Sequence, residues 1–270
     1  MSSGPPWQRA AAACAAAVLA AAAHGAAPGQ AQRTSAPAAA PAAAPAGGPG
    51  SLAGVWQSGG TTVQSDGNPS RVVNLASGRT PERDRVLKTI EGAWPPLQPW
   101  ASELLEKRIG LSQRGEPEGT GTALCLPGIP LLMLGGPYPI QIIESPGLVT
   151  ILLEEHNHFR LVYLNGKHAE DPDPTFLGDS IGHWEGETLV VDTVGLSGRA
   201  PLDRVGIPHS DQLHLIERFR RTGPDTMELV ITMDDPKAFT KPWDARVRYR
   251  KPAAGVKMTE YICENNRDYP

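Results

Sequence analysis

The stretch GIPHSDQLHLIERF, residues 206–219, places two histidines, an aspartate and a glutamate between His209 and Glu217. Imidazoles and carboxylates can bind a metal or move protons near neutral pH. Five positions separate His209 from His214. That is neither the three or four of a helix face nor the even spacing of a strand face, so the pair is poor evidence for chelation. His209 sits in a loop after Pro208 and is the candidate general base, with Asp203 as the group that orients it. The competing reading is a loop histidine held by nearby backbone. Glu217 belongs to a strand. Leu213, Leu215, Glu217 and Phe219 then share one face, and His214, Ile216, Arg218 and Arg220 the other. The first face is apolar and points inward, which leaves a carboxylate among hydrocarbon side chains. An unpaired buried carboxylate is costly, so Glu217 needs a partner or a polar cavity. Asp192, inside TLVVDTVG, poses a similar question.

The elements that carry these residues are mostly strands. Short apolar, β-branched runs alternate with turn signals at 140–145, 148–155, 158–164, 179–184, 187–195, 212–221, 226–235, 245–251 and 256–263. LAGVWQ, residues 52–57, reads as a short strand or an ordered entry. Two helices are expected earlier, at 80–92 and at 100–110, the first started by Thr80 and Pro81 and each stopped by a glycine. The fold class expected is mainly β: an antiparallel meander forming a curled sheet or a lipocalin-like barrel, since closure removes exposed edges.

In such a meander successive joints fall at opposite ends. The short joints at 156–157, 185–186 and 222–225 would share one end, and the long loops 165–178, 196–211 and 236–244 the other. That mouth would hold His168, Glu170, Asp171 and Asp173 from the first loop, Asp203, Arg204, His209 and Asp211 from the second, and Asp234, Asp235, Lys241 and Trp243 from the third. The aspartates of Asp171-Pro172, Asp173-Pro174 and Asp235-Pro236 read as turn formers. In HFRLVYL the aromatic face of Phe159, Leu161 and Tyr163 is expected in the core, with His158 and Arg160 outside. If both faces are buried, Arg160 is a partner for Glu217 or for an anionic ligand. Contacts to a small ligand are assigned to Arg160, Tyr163, His168, Trp184 and Trp243. Arg246, Arg248 and Arg250 alternate on one strand face and Glu228 and Asp234 on the next, which reads as cross-strand charge pairing.

The rest of the chain sets the context. Arg9 precedes an uncharged apolar run from Ala10 to Ala23, followed by small residues, the layout of a secretory signal peptide ending by residue 31. The run is shorter than the roughly 20 residues of a membrane-spanning helix. An Ala/Pro linker follows over 32–50, and a single β-rich domain over 51–270. These features predict a periplasmic or secreted protein with no integral membrane segment after signal removal. Cys125 and Cys263 would then form a disulfide. The net charge is −4 and no Lys/Arg block occurs, so no nucleic-acid partner is expected. No GxSxG, HExxH, P-loop or GxGxxG pattern is present, and neither a metal nor another cofactor is called for.

GDSIGHWEGETLVVDTVG, residues 178–195, and the PHS of residues 208–210 followed by a strand with Glu217-Arg218 resemble a large family of secreted bacterial proteins of unknown function. CLPGIP (125–130) and DDPKAFTKPW (234–243) are similar to it as well. The resemblance covers roughly residues 120–265 and departs at Glu187, where the family has Asp, and at Leu196, where it has Phe. It implies no reaction. The residues themselves point to a cofactor-independent enzyme acting on a small, partly apolar organic molecule by His/Asp/Glu acid–base chemistry, as an isomerase, lyase or hydrolase. The alternatives are a non-catalytic periplasmic carrier of a small ligand and an envelope interaction module with a filled core.

Overall fold

A computed structural model describes residues 50–58, 86–116 and 126–261. Its strands are β1 (Gly54–Ser58), β2 (Ile140–Ser145), β3 (Leu148–Leu153), β4 (His158–Leu164), β5 (Asp179–Glu185), β6 (Thr188–Val194), β7 (His214–Gly223), β8 (Thr226–Asp234) and β9 (Trp243–Arg250). They form one closed barrel in sequence order, with β1 pairing β2 on one side and β9 on the other. Period-two patterning is the reason. In β8, Met227, Leu229, Ile231 and Met233 are buried and their neighbours are half-exposed. Trp56, Tyr249 and Phe219 are among the largest fully buried side chains.

Eight of the runs expected after residue 125 are strands, but residues 256–261 are not; β1 closes the ring instead. Of the two expected helices, residues 86–92 of the first are bend, turn and coil, and residues 80–85 lie outside the described residues. The second is α1 (Pro99–Gln113), with Ala101, Leu105 and Ile109 buried on one face. It runs through Gly110 rather than stopping there. A one-turn helix, α2 (Pro130–Leu134), precedes β2.

The antiparallel meander fails at one seam. β4 and β5 pair in parallel, through Tyr163↔Ile181 and Leu164↔Gly182. A parallel pair needs a connection that travels back along the strands, and loop 165–178 does this on the outside of the wall. The joint 154–157 therefore shares its end with loops 195–213 and 235–242, while the turns near Gly147, Gly186 and residues 224–225 share the other. Two of the three long loops do share an end; the first spans between ends. Gly182 fits this seam because a Cβ there would lie 2.8 Å from Val162 Cγ1. Gly178, at the loop's close, has φ +68° and would meet Thr193 Cγ2 at 2.6 Å.

The two loops at the shared end are packed under the chain that precedes β2. Leu97 bridges Phe239, Gln98 N–H donates to Ala238 O (2.8 Å) and Thr240 N–H to Pro96 O (2.7 Å). From α1, Arg108 Nη1 donates to Gly206 O (2.7 Å) and Trp100 Nε1 to Lys237 O (2.7 Å). Val86, Leu87, Leu105 and Ile109 join Leu202, Val205, Ile207, Phe239 and Trp243 in one core. The expected mouth is an apolar packing layer at these residues.

Candidate functional site

The buried face of β7 carries Glu217, as strand alternation predicts, and the interior supplies its partner. Arg160 is 2% exposed and Glu217 0%. Arg160 Nη1 donates to Glu217 Oε1 at 2.8 Å, and Nη2 donates to Oε2. Nη2 also donates to Thr193 Oγ1 (2.6 Å) and Nε to Ser180 Oγ (3.0 Å), while Ser180 and Thr193 lie 3.1 Å apart. The network thus answers most of the ions' hydrogen-bonding capacity inside the barrel. Tyr249 lies near it. Burial, then the charge of Glu217, pushes its hydroxyl pKa well up, against Arg160, and the hydroxyl donates to Leu134 O at 2.6 Å.

This pairing corrects the expected facing of β4. Phe159 is 61% and Tyr163 52% exposed, on the outer wall. The guanidinium turns inward because its carboxylate partner is there, and the aromatic rings go out with the alternation. Tyr163 therefore does not look into the interior.

His209 and Asp203 do not form a dyad. His209 Nδ1 lies 2.8 Å from Ser210 O and Nε2 2.7 Å from Ala200 O. Carbonyl oxygens only accept, so each ring nitrogen faces backbone rather than open space. Asp203 Oδ1 accepts from the N–H groups of Val205 (3.2 Å), Gly206 (2.7 Å) and Ile207 (2.9 Å), and Oδ2 from Leu87 N–H (2.8 Å). Burial pushes its carboxyl pKa up against these four donors. Asp203 holds its loop to the segment at Leu87. Asp235 holds loop 235–242 to the loop of Asp203: it accepts from Ser210 N–H (2.6 Å) and Ser210 Oγ (2.7 Å), and within its own loop from the N–H groups of Lys237 and Ala238 (3.1 Å each).

Of the aromatic candidates, Trp243 packs edge-on against Phe239 at 5.6 Å, and Trp184 packs against the core. Neither indole N–H has an acceptor among the described residues. Cys125 and Cys263 lie outside the described residues.

His168 is the expected residue that enters a cluster of reactive groups. Its Nδ1 is 3.0 Å from Asp179 Oδ2 and its Nε2 3.0 Å from Asp192 Oδ1. Asp192 Oδ1 also meets His214 Nε2 at 2.6 Å. The chain Asp179–His168–Asp192–His214 lies on the outer wall of β5, β6 and β7, under loop 165–178. Its members are placed by strand pairing. Asp192 stands opposite Ile216, two residues beyond His214, and Asp234 stands opposite His214. His168 is engaged at both nitrogens. His214 is not: its Nε2 faces a carboxylate acceptor and so carries a proton, and in the neutral ring the lone pair then lies on Nδ1. No described residue bonds Nδ1, and the side chain is 37% exposed. This is an Asp–His pair with one nitrogen open to a reactant. Among the described residues no group of three or more His, Cys, Asp or Glu side chains is arranged to hold a metal ion.

Asp179, Asp192 and His214 were not among the site residues expected from sequence. The available signal was that His214 alternates outward and that Asp192 interrupts an apolar run.

The fold and this cluster define a closed nine-stranded barrel with a hydrogen-bonded Asp–His pair on its outer wall. The chain matches no protein-family model, no curated protein and no solved structure.

Proposed function

We propose that the protein is a general acid–base catalyst whose working pair, Asp192 and His214, lies on the outer wall of the barrel. The observation that carries this is the 2.6 Å contact of His214 Nε2 with Asp192 while Nδ1 is left open. Nδ1 takes a proton from a substrate C–H or from a water, and Asp192 stabilises the imidazolium that forms. His168, fixed by Asp179, holds Asp192 in place. The substrate class is a small organic molecule that reacts by proton abstraction, which suits an isomerase, a lyase or a hydrolase. The N-terminal sequence supports export, with the chemistry outside the cytoplasm; the resemblance to secreted bacterial proteins supports the same reading.

Two probe reactions test it: hydrolysis of p-nitrophenyl acetate, and exchange of the α-protons of a simple ketone into deuterated water followed by NMR. The wild type is expected to accelerate one of them, with losses of about 10²–10⁴ in His214→Ala and Asp192→Asn. No acceleration by the wild type, or wild-type rates in both variants, refutes the reading. A second reading, an interaction module with a filled core, is favoured by the Arg160–Glu217 network inside the barrel.

A further inference from the structure

The expected cross-strand charge pairing holds for Arg246 and Arg248, through Glu228, but does not account for all the arginines of β7 and β9. Arg218 and Arg220 point outward from β7, and Arg246, Arg248 and Arg250 from β9. Between them on β8, Glu228 stands opposite Arg220 on one side and Arg248 on the other; the other outward carboxylates of these strands, Asp234 at the end of β8 and Asp244 at the start of β9, lie at one end of the wall. Glu228 Oε2 is 3.1 Å from Arg246 Nε and 3.9 Å from Arg248 Nε. Among the described residues Arg218, Arg220 and Arg250 pair with no carboxylate, and all three are exposed. Five guanidiniums and three carboxylates therefore share this wall, with Asp234 and Asp244 gathered at one end and Glu228 the carboxylate opposite Arg220 and Arg248, in a chain of net charge −4. Such segregation costs self-repulsion unless a partner relieves it.

We infer that this wall of β7, β8 and β9 docks an acidic polysaccharide, a linear chain bearing carboxylates. The arginines stand in two columns. Strand geometry sets about 7 Å between successive outward residues of a column and about 10 Å between the columns. A flexible chain with one carboxylate per sugar can seat successive carboxylates on successive guanidiniums. Each planar fork takes a carboxylate through two parallel hydrogen bonds, which an ammonium cannot do. Nucleic acid and membrane fit less well. The exposed large apolar side chains are Trp94, Trp100, Ile143, Phe159, Tyr163 and Val256, none of them on β7, β8 or β9. The wall thus offers no exposed ring on which a base stacks and no exposed large apolar residue to enter a bilayer. The inference stands independently of the acid–base reading, since it concerns binding alone.

The test is binding of the full chain to polygalacturonate, with dextran as the neutral control. Arg218→Gln/Arg220→Gln/Arg248→Gln removes three charges from the wall, and Lys167→Gln/Lys241→Gln/Lys257→Gln removes three elsewhere. Both variants are first matched to wild type by melting temperature and circular dichroism. If the arginine variant does not match, single Arg→Lys changes at 218, 220 and 248 replace it; these keep the charge and lose the fork. The expected result is wild-type binding to polygalacturonate and not dextran, roughly tenfold or more weaker in the arginine variant and unchanged in the lysine variant. For the Arg→Lys set the expected result is weaker binding at unchanged net charge. Equal weakening in the two triple variants, wild-type affinity in the arginine variant or the Arg→Lys set, no binding to polygalacturonate, or tighter binding to anionic phospholipid vesicles or single-stranded DNA would overturn it.

Discussion

Removing one member of the Arg160–Glu217 pair should cost far more than removing both. Glu217→Gln leaves a guanidinium 2% exposed with no counter-ion, keeping only its contacts to Ser180 and Thr193 and a neutral amide. Arg160→Met leaves a fully buried carboxylate with one hydroxyl donor, Thr193 Oγ1 at 3.3 Å. Breaking a buried pair on one side typically costs about 3–5 kcal/mol. For a domain of this size that corresponds to a fall in melting temperature of roughly 6–20 °C. Arg160→Met/Glu217→Leu removes both charges in similar volume. Ser180 and Thr193 still have each other at 3.1 Å. The double variant should be near wild type or about 1–4 kcal/mol more stable. The assay is urea denaturation followed by tryptophan fluorescence, with wild type, Arg160→Met, Glu217→Leu and the double variant assembled into a double-mutant cycle and Glu217→Gln measured beside them. Single variants that each lose less than about 1 kcal/mol, with an additive double, would refute the reasoning. They would mean that the pair is solvated.

Three further outcomes are expected. Tyr249 keeps its proton to higher pH in the folded state than in the unfolded chain, so unfolding releases it. Stability should fall as pH rises above about 10, and Tyr249→Phe should flatten that fall in guanidinium midpoints taken across the range. Asp235→Ala removes the acceptor of four donors, two from Ser210 that tie loop 195–213 to loop 235–242 and two within loop 235–242; a loss of about 3 kcal/mol is expected by thermal denaturation, larger than for Asp235→Asn. Diethyl pyrocarbonate should acylate His214 faster than His168 or His209, whose nitrogens are engaged, as read by peptide mass spectrometry; equal rates would contradict the assigned hydrogen bonds.

Strand alternation made the barrel legible, because period two needs only local sequence. It put Glu217 inside with Leu215 and Phe219. It misjudged β4, where an aromatic face looked more buried than one carrying arginine, since the partner that draws Arg160 inward is 57 residues away. The counting of ends failed for a related reason. Nothing local in HFRLVYL or DSIGHW says that these strands run parallel; that follows from the path of loop 165–178. The Asp192–His214 pair needs the register of β6 on β7, and His209 looked reactive because a loop sequence does not show which carbonyls will face its ring. TPERDRVLKTIEG carries helix-start signals, yet Leu87 and Ile90 spend their backbone N–H groups on Asp203 and on Asp244 O, so tertiary bonds replace helical ones.

The pairing of β1 with β9 joins Ser58 to Tyr249, from the first and last strands of the barrel. On a ribosome the ring cannot shut until almost all of the chain has been made. Until then the nascent sheet has a free edge at each side, a template for other chains. Contacts this distant in sequence also slow folding. Production of this protein should therefore be limited by what guards an unfinished barrel during synthesis.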